Sequence, residues 1–149
     1  MSDNLKLEKA EISHLPEIVR IEKESFSAPW SDASIASSIE SELAHCVCLM
    51  QDEKVVGYAM FAFVFEEGEL LNIAVDPALR GLGYGDRLLS HVTECALENK
   101  VERLFLEVRE SNASARSLYK KHGFEELGVR KNYYRSPTED AVIMVLKLN

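Results

Sequence analysis

The stretch Leu70–Leu89, LLNIAVDPALRGLGYGDRLL, decides how this chain is read. Its apolar run of Leu70, Leu71, Ile73, Ala74 and Val75 has the composition of a strand and stops at Asp76-Pro77. The segment Gly81-Leu82-Gly83-Tyr84-Gly85 follows, and then Leu88, Leu89, Val92 and Ala96 recur at helical spacing. A strand that runs into a glycine-rich loop and a helix start leaves several backbone N–H groups without intrahelical partners. Together with the positive end of the helix dipole they form an anion site suited to phosphate. Glycine lets the backbone approach such a ligand and permits φ > 0, so a side chain at Gly85 is expected to stand where the phosphate must come in. The stretch predicts a phosphorylated cofactor.

The loop's details narrow the choice. A Walker-type loop needs Gly-Lys-Ser/Thr after its last glycine, whereas Gly85 is followed by Asp86-Arg87. A dinucleotide fingerprint places G-x-G-x-x-G directly after the strand, with an acidic residue about 20 positions on. Here the loop reads G-x-G-x-G, begins six residues past Val75, and has Glu107 rather further on. That alternative fits less well and stays open.

Working outward, the order of elements is mixed. Strands are expected at Leu5–Lys9, Cys46–Gln51 and Val55–Phe65, the last two joined by Asp52-Glu53-Lys54 as a hairpin connection. Glu66-Glu67-Gly68 turns into the Leu70 strand. Glu11–Ser25 carries Leu15, Ile18, Val19 and Ile21-Glu22 at helical spacing, with Ser13 as N-cap and Pro16 in the first turn. A second helix spans Asp32–Glu40. The Gly83–Asn99 helix leads back to a strand at Leu104–Val108, a crossover that implies parallel pairing. Asn112–His122 reads as a helix capped by Ser111 or Asn112 and closed by Gly123-Phe124. Glu125–Val129 and Ala141–Leu148 finish as strands on either side of a polar loop, Arg130–Asp140.

Composition sets outer bounds. The 149 residues suffice for one domain with a full core, and 46% hydrophobic with 28% charged residues is the make-up of a globular chain. The longest apolar run, Tyr58–Phe65, is too short to span a membrane, and the start MSDNLKLEKA lacks a signal peptide's apolar core, so the cytoplasm is expected. Cys46, Cys48 and Cys95 form no CxxC pair and read as reduced thiols, and the four histidines form no HExxH, so no metal is expected. A net charge of −8 disfavours direct nucleic-acid binding. It suits a basic polypeptide substrate, and it equally serves solubility alone. Arg80 and Arg87 flank the anion site in this acidic chain.

Arg80-x-x-Gly83-x-Gly85 after the IAV-x-P strand resembles the pyrophosphate loop of the GNAT superfamily of acyl-CoA-dependent N-acyltransferases. The likeness continues in Leu104–Arg109, in Ser111-Asn112-Ala113 and in Leu118–Phe124, which look like that superfamily's fifth strand and following helix. Pro29-Trp30-Ser31 and Asn132-Tyr133-Tyr134 resemble its RimI-type branch, the ribosomal-protein alanine N-acetyltransferases. The resemblance implies a single-domain α/β (α+β) GNAT fold over residues 1–149, with a mixed central sheet of about seven strands and flanking helices.

It further implies acetyl-CoA as co-substrate. Its pantetheine arm would bond backbone groups of Ile73, Ala74 and Val75, and its pyrophosphate would sit on N–H groups of Gly81, Leu82, Gly83, Tyr84, Gly85 and Asp86. Asn112 matches a further cofactor-binding position. In that family the fourth and fifth strands splay to let amine and thioester meet, and the N–H near Val75 would polarise the thioester carbonyl. Glu107 matches the branch's proton acceptor and Tyr119 the proton donor to the departing thiolate. Taken by itself, Glu107 would pair with Arg109 or Arg103, and Tyr119, on the stripe of Ala115 and Leu118, would be a packing residue. Trp30, Tyr133 and Tyr134 would wall the peptide channel, or serve as ordinary aromatics. The implied activity is acetyl transfer to the N-terminal alanine of a ribosomal protein. A GNAT acting on a small amine or lysine, and a non-catalytic acyl-CoA sensor, are the alternatives. Oligomeric state stays open.

Overall fold

The computed structural model describes residues 4–148. Seven strands form one sheet: β1 (Leu5–Lys9), β2 (Ala44–Gln51), β3 (Lys54–Val64), β4 (Glu67–Val75), β5 (Arg103–Arg109), β6 (Glu125–Tyr134) and β7 (Glu139–Lys147). Their spatial order is β1-β2-β3-β4-β5-β7-β6. The β4–β5 pair is parallel and the other five neighbouring pairs are antiparallel. The helices are α1 (Leu15–Ser25), α2 (Asp32–Glu40), α3 (Tyr84–Glu98) and α4 (Ala113–Lys121). Among the described residues no helix is long and apolar enough to cross a membrane.

Each face of the sheet is covered by the apolar stripe of two helices. Ile18 and Ile21 of α1 and Ile35 and Ile39 of α2 pack with Cys46, Cys48, Tyr58 and Met60 on one face. Leu88, Leu89 and Val92 of α3 and Tyr119 of α4 pack with Leu104, Leu106, Val108 and Met144 on the other. Strand β5 alternates cleanly, so Leu104, Leu106 and Val108 go to the α3–α4 side, and Glu107 and Arg109 are left on the opposite face.

One irregularity opens the sheet. The β3–β4 register slips between Met60 and Phe61, which face Asn72 and Leu70, so Leu71 is an extra residue in β4. A bulge of this kind bends its strand and switches the parity of its side chains. Before it, Leu70 packs on the α3 side; beyond it Ile73 and Val75 do, while Leu71 and Ala74 face α1. Only Glu67, Gly68 and Glu69 find partners on β5 (Arg103, Leu104 and Phe105). Past that point β4 and β5 part.

Three expectations need correction. Ser13 caps nothing: a short 3-10 turn, Ile12–His14, precedes α1, and Glu11 N donates to His14 Nδ1 at 2.9 Å. Strand β4 starts at Glu67, inside the expected turn. Strand β6 runs to Tyr134, through half of the expected loop, because pairing of Arg130 and Tyr134 with β7 and a bond from Asn132 N to Asp140 Oδ1 hold a segment whose side chains are almost all exposed.

Candidate active site

The parting of β4 from β5 leaves the main chain of β4 beyond Glu69 bonded only to β3, so its other edge is free along Ile73, Ala74 and Val75. A cavity of about 610 Å³ lies against this edge. It continues over Gly81, Gly83, Tyr84, Gly85 and Asp86 at the start of α3. Arg87 N donates to Gly83 O at 3.2 Å, the first bond of α3, so the N–H groups of Tyr84, Gly85 and Asp86 have no intrahelical acceptor. Gly81 and Gly83 hold φ of +83° and +86°, the left-handed region that favours glycine.

The loop residues differ in what they offer. Leu82 is 60% exposed and projects away from the cavity wall. The Tyr84 ring is buried in the α3–α4 core, so only its backbone faces the cavity. Gly85 departs from the expectation: it is helical, and a Cβ there would meet Leu118 Cδ2 at 3.2 Å. Its missing side chain lets α3 approach α4 at Leu118, a residue that lines the larger cavity with Gly85. Arg80 lines the cavity and donates to Ser25 Oγ at 3.1 Å, tying the loop to the end of α1. Arg87 is exposed.

Asp86 spends its carboxylate on α4, with His122 Nε2 at 2.8 Å and Lys121 Nζ at 3.1 Å from Oδ1. The hydrogen bond from His122, then that from Lys121, holds this carboxyl below its usual value. A depressed folded pKa contributes stability that is complete above the unfolded value, near 3.9, and is lost as pH falls through the folded one. Asp86→Asn is therefore expected to flatten the acid limb of the stability–pH curve below about pH 4, by no more than about 1 kcal/mol for so exposed a pair. Urea unfolding at stepped pH measures this, and an unchanged acid limb would show the clamp to be idle.

A second cavity, of about 180 Å³, opens on the α1–α2 side, lined by Trp30, Leu71, Asn72, Glu107 and Tyr134 among others. Ile73, Arg109, Asn112 and Tyr119 line both cavities, so the two share a wall at the split in the sheet. Asn112 caps α4, accepting from Ala115 N at 3.1 Å. Tyr119 is buried, and burial pushes its hydroxyl pKa above the ordinary phenol value, with the nearby Tyr134 adding to the shift. A tyrosine so placed stays protonated and donates a hydrogen bond more readily than it surrenders a proton.

Glu107 pairs with neither Arg109 nor Arg103. Its Oε2 lies 2.6 Å from Arg130 Nε, two strands away on β6. Arg109 instead bonds Glu139 and the carbonyls of Arg135 and Pro137, and its guanidinium lies 4.6 Å from the Tyr134 ring centroid. Arg103 pairs with Glu67 at 2.8 Å. The neighbouring Glu107 carboxylate, then burial, raises the Tyr133 hydroxyl pKa. Tyr134, pushed up to about 12 by burial and then by Glu107's charge, stands edge-on to Tyr133. Tyr134 and Trp30 line the smaller cavity, while the half-exposed Tyr133 backs Tyr134 from outside.

Sequence reading counted Glu22 in the helical pattern of α1 and gave it no part in the site. It sits on α1 in line with Leu15 and Ile18, is 1% exposed, and lines the smaller cavity. A charge on the apolar stripe of an amphipathic helix was the available signal.

The profile of the Acetyltransferase (GNAT) family matches residues 15–124. The ribosomal protein bS18-alanine N-acetyltransferase of Escherichia coli (strain K12) is 38% identical over 141 residues, 93% of this chain and 95% of the relative. The crystal structure of the ribosomal-protein-S18-alanine N-acetyltransferase from Escherichia coli superposes with a TM-score of 0.90 at 37% identity, over 97% of this chain and 94% of that one. A GNAT family acetyltransferase from Elizabethkingia anophelis with acetyl-CoA bound shares the fold, with a TM-score of 0.80 at 19% identity over 99% of this chain and 100% of that one. The parted strands, the glycine loop at the head of α3 and these likenesses agree: the chain belongs to the GNAT family of acetyltransferases and, within it, to the RimI-type branch.

Proposed function

We propose that this protein moves the acetyl group of acetyl-CoA to the N-terminal α-amine of a ribosomal protein whose first residue is alanine. The observation that carries the reading is the shared wall at the β4–β5 split, where Glu107 and Tyr119 line adjoining cavities. In this reading the cofactor lies in the larger cavity, its arm on the free edge of β4 and its pyrophosphate on the N–H groups at the head of α3. The acceptor enters the smaller cavity, named in the relatives as a bS18 alanine.

The α-amine nitrogen attacks the thioester carbon, and the carbonyl electrons move to oxygen near the Val75 N–H. Collapse breaks the C–S bond. Glu107 takes the proton lost by the amine, and the Tyr119 hydroxyl hydrogen-bonds to the leaving thiolate. An α-amine, with a pKa of about 7.7–8.0, is about a tenth neutral at pH 7, whereas lysine, near 10.4, is neutral in well under about a hundredth of molecules. A site with one carboxylate base therefore favours N-termini.

Incubation with acetyl-CoA and a panel of N-terminal peptides tests this. Peptides beginning with alanine are expected to gain one acetyl group at the α-amine, and blocking that amine should abolish the gain even when lysines are present. Mass spectrometry showing acetyl groups chiefly on lysine side chains would overturn the reading.

A further inference from the structure

Glu22 is the buried charged residue among the described ones, and its surroundings are unusual for a carboxylate. Its Oε1 accepts from the Tyr58 hydroxyl and from Asn72 Nδ2 (2.6 Å), and its Oε2 accepts from Trp30 N at 2.9 Å. All three donors are neutral. None of the ion pairs among the described residues includes Glu22. The cations nearest in sequence or cavity are engaged elsewhere: Arg20 with Glu24 and Asp76, Lys23 with Asp32, and Arg109 with Glu139. A carboxylate withdrawn from water without a countercharge is costly, and such groups are retained where a cation meets them.

The valence of the group agrees with its charge. Each carboxylate oxygen accepts about two hydrogen bonds, so Oε1 is filled while Oε2 keeps one lone pair. Glu22 also lines the smaller cavity, as Glu107 does. Resting on the acceptor reading above, we propose that Glu22 is the specificity residue that receives the α-ammonium group of the arriving peptide, and that this ammonium supplies the countercharge the fold withholds. Its bond to Trp30 N ties the α1–α2 loop to this subsite, and its bond to Asn72 ties in the segment of β4 just past the bulge. Glu22 selects and seats the ammonium form; the first proton leaves to water to give the neutral amine, and Glu107 takes the second as the C–N bond forms.

Binding without turnover isolates the role. The protein saturated with CoA is titrated with an alanine-start peptide and with the same peptide lacking only the amine nitrogen. The parent chain is expected to prefer the amine form by about tenfold or more, as befits a charge-assisted hydrogen bond. Glu22→Gln keeps the shape, since the Asn72 amide and the Tyr58 hydroxyl can turn to suit it, and should bring the preference within about threefold. Glu107→Gln, at a half-buried position, should leave the preference standing. A preference that survives Glu22→Gln, is lost in Glu107→Gln, or is absent from the parent would overturn the proposal. Where Glu22→Gln fails to fold, Glu22→Asp takes its place: it keeps the charge but draws it back by one methylene, and it should cut the preference by about threefold or more, an undiminished preference overturning the proposal. Acetylation of the α-amine by the parent is measured separately with acetyl-CoA, so a failed Glu22 arm leaves the acceptor reading intact. Acetylation on lysines alone would remove both.

Discussion

Replacing Glu107 with glutamine is expected to lower turnover by about 10²-fold or more while acetyl-CoA affinity stays within about twofold. The substitution keeps the side chain's length and shape and removes its capacity to take a proton. Glu107 lines the smaller cavity and not the larger one, where the cofactor is proposed to lie, which is why cofactor binding should be spared. Its pairing with Arg130 at 2.6 Å supplies the competing account, in which the carboxylate anchors β6 and nothing more. The two accounts part on the maximal rate at saturating substrates. A Glu107→Gln chain that turns over like its parent leaves Glu107 as the anchor of Arg130 and the proton without this acceptor.

Gly83→Val is expected to weaken acetyl-CoA binding by about tenfold or more, the equivalent of about 1.4 kcal/mol. At φ of +86° a β-branched residue is strained, by about 1–3 kcal/mol, and nothing lies within 4 Å of the added Cβ to compensate or to clash. The loop relieves that strain by turning its N–H groups away from the head of α3. Gly85→Ala is the contrasting probe, since its Cβ presses on Leu118 and should disturb the α3–α4 contact more than the ligand site. Calorimetric titration with acetyl-CoA reads both. Undiminished binding to the Gly83→Val chain would remove this loop as the pyrophosphate site.

The parts of the fold that were legible are those whose side chains repeat with the period of their backbone. Leu104, Leu106 and Val108 alternate because one face of β5 is buried, and α3 shows its stripe for the same reason. Residues 130–134 carry no such alternation. They are held at the sheet's edge by the pairing of Arg130 and Tyr134 with Ala141 and Glu139 of β7 and, between them, by Asn132 N donating to Asp140 Oδ1, contacts that give the segment no side-chain period. The bulge at Leu71 is equally silent, since an apolar residue there satisfies either parity.

At the site, the glycine loop was legible because left-handed backbone selects glycine, as at Gly81 and Gly83, whereas at Gly85 the close approach of Leu118 is what a side chain would meet. Glu107 was visible and its partner was not. Arg130 reaches it from two strands away, past Ile143, where the β6 residue opposite is Gly128. A pairing of that kind follows from sheet order, and nothing near Glu107 in the chain announces it.

The free edge of β4 has a consequence for how this architecture diversifies. On the reading proposed here the donor is recognised by main-chain groups of Ile73 to Val75 and of the α3 head, which every residue type but proline supplies in full. The acceptor is selected by side chains: Glu22, Trp30 and Tyr134. Substitution therefore erodes the two halves of the reaction at different speeds. Drift in sequence re-tailors which amine is accepted long before it disturbs which thioester is used, so one scaffold can change clients while keeping its currency.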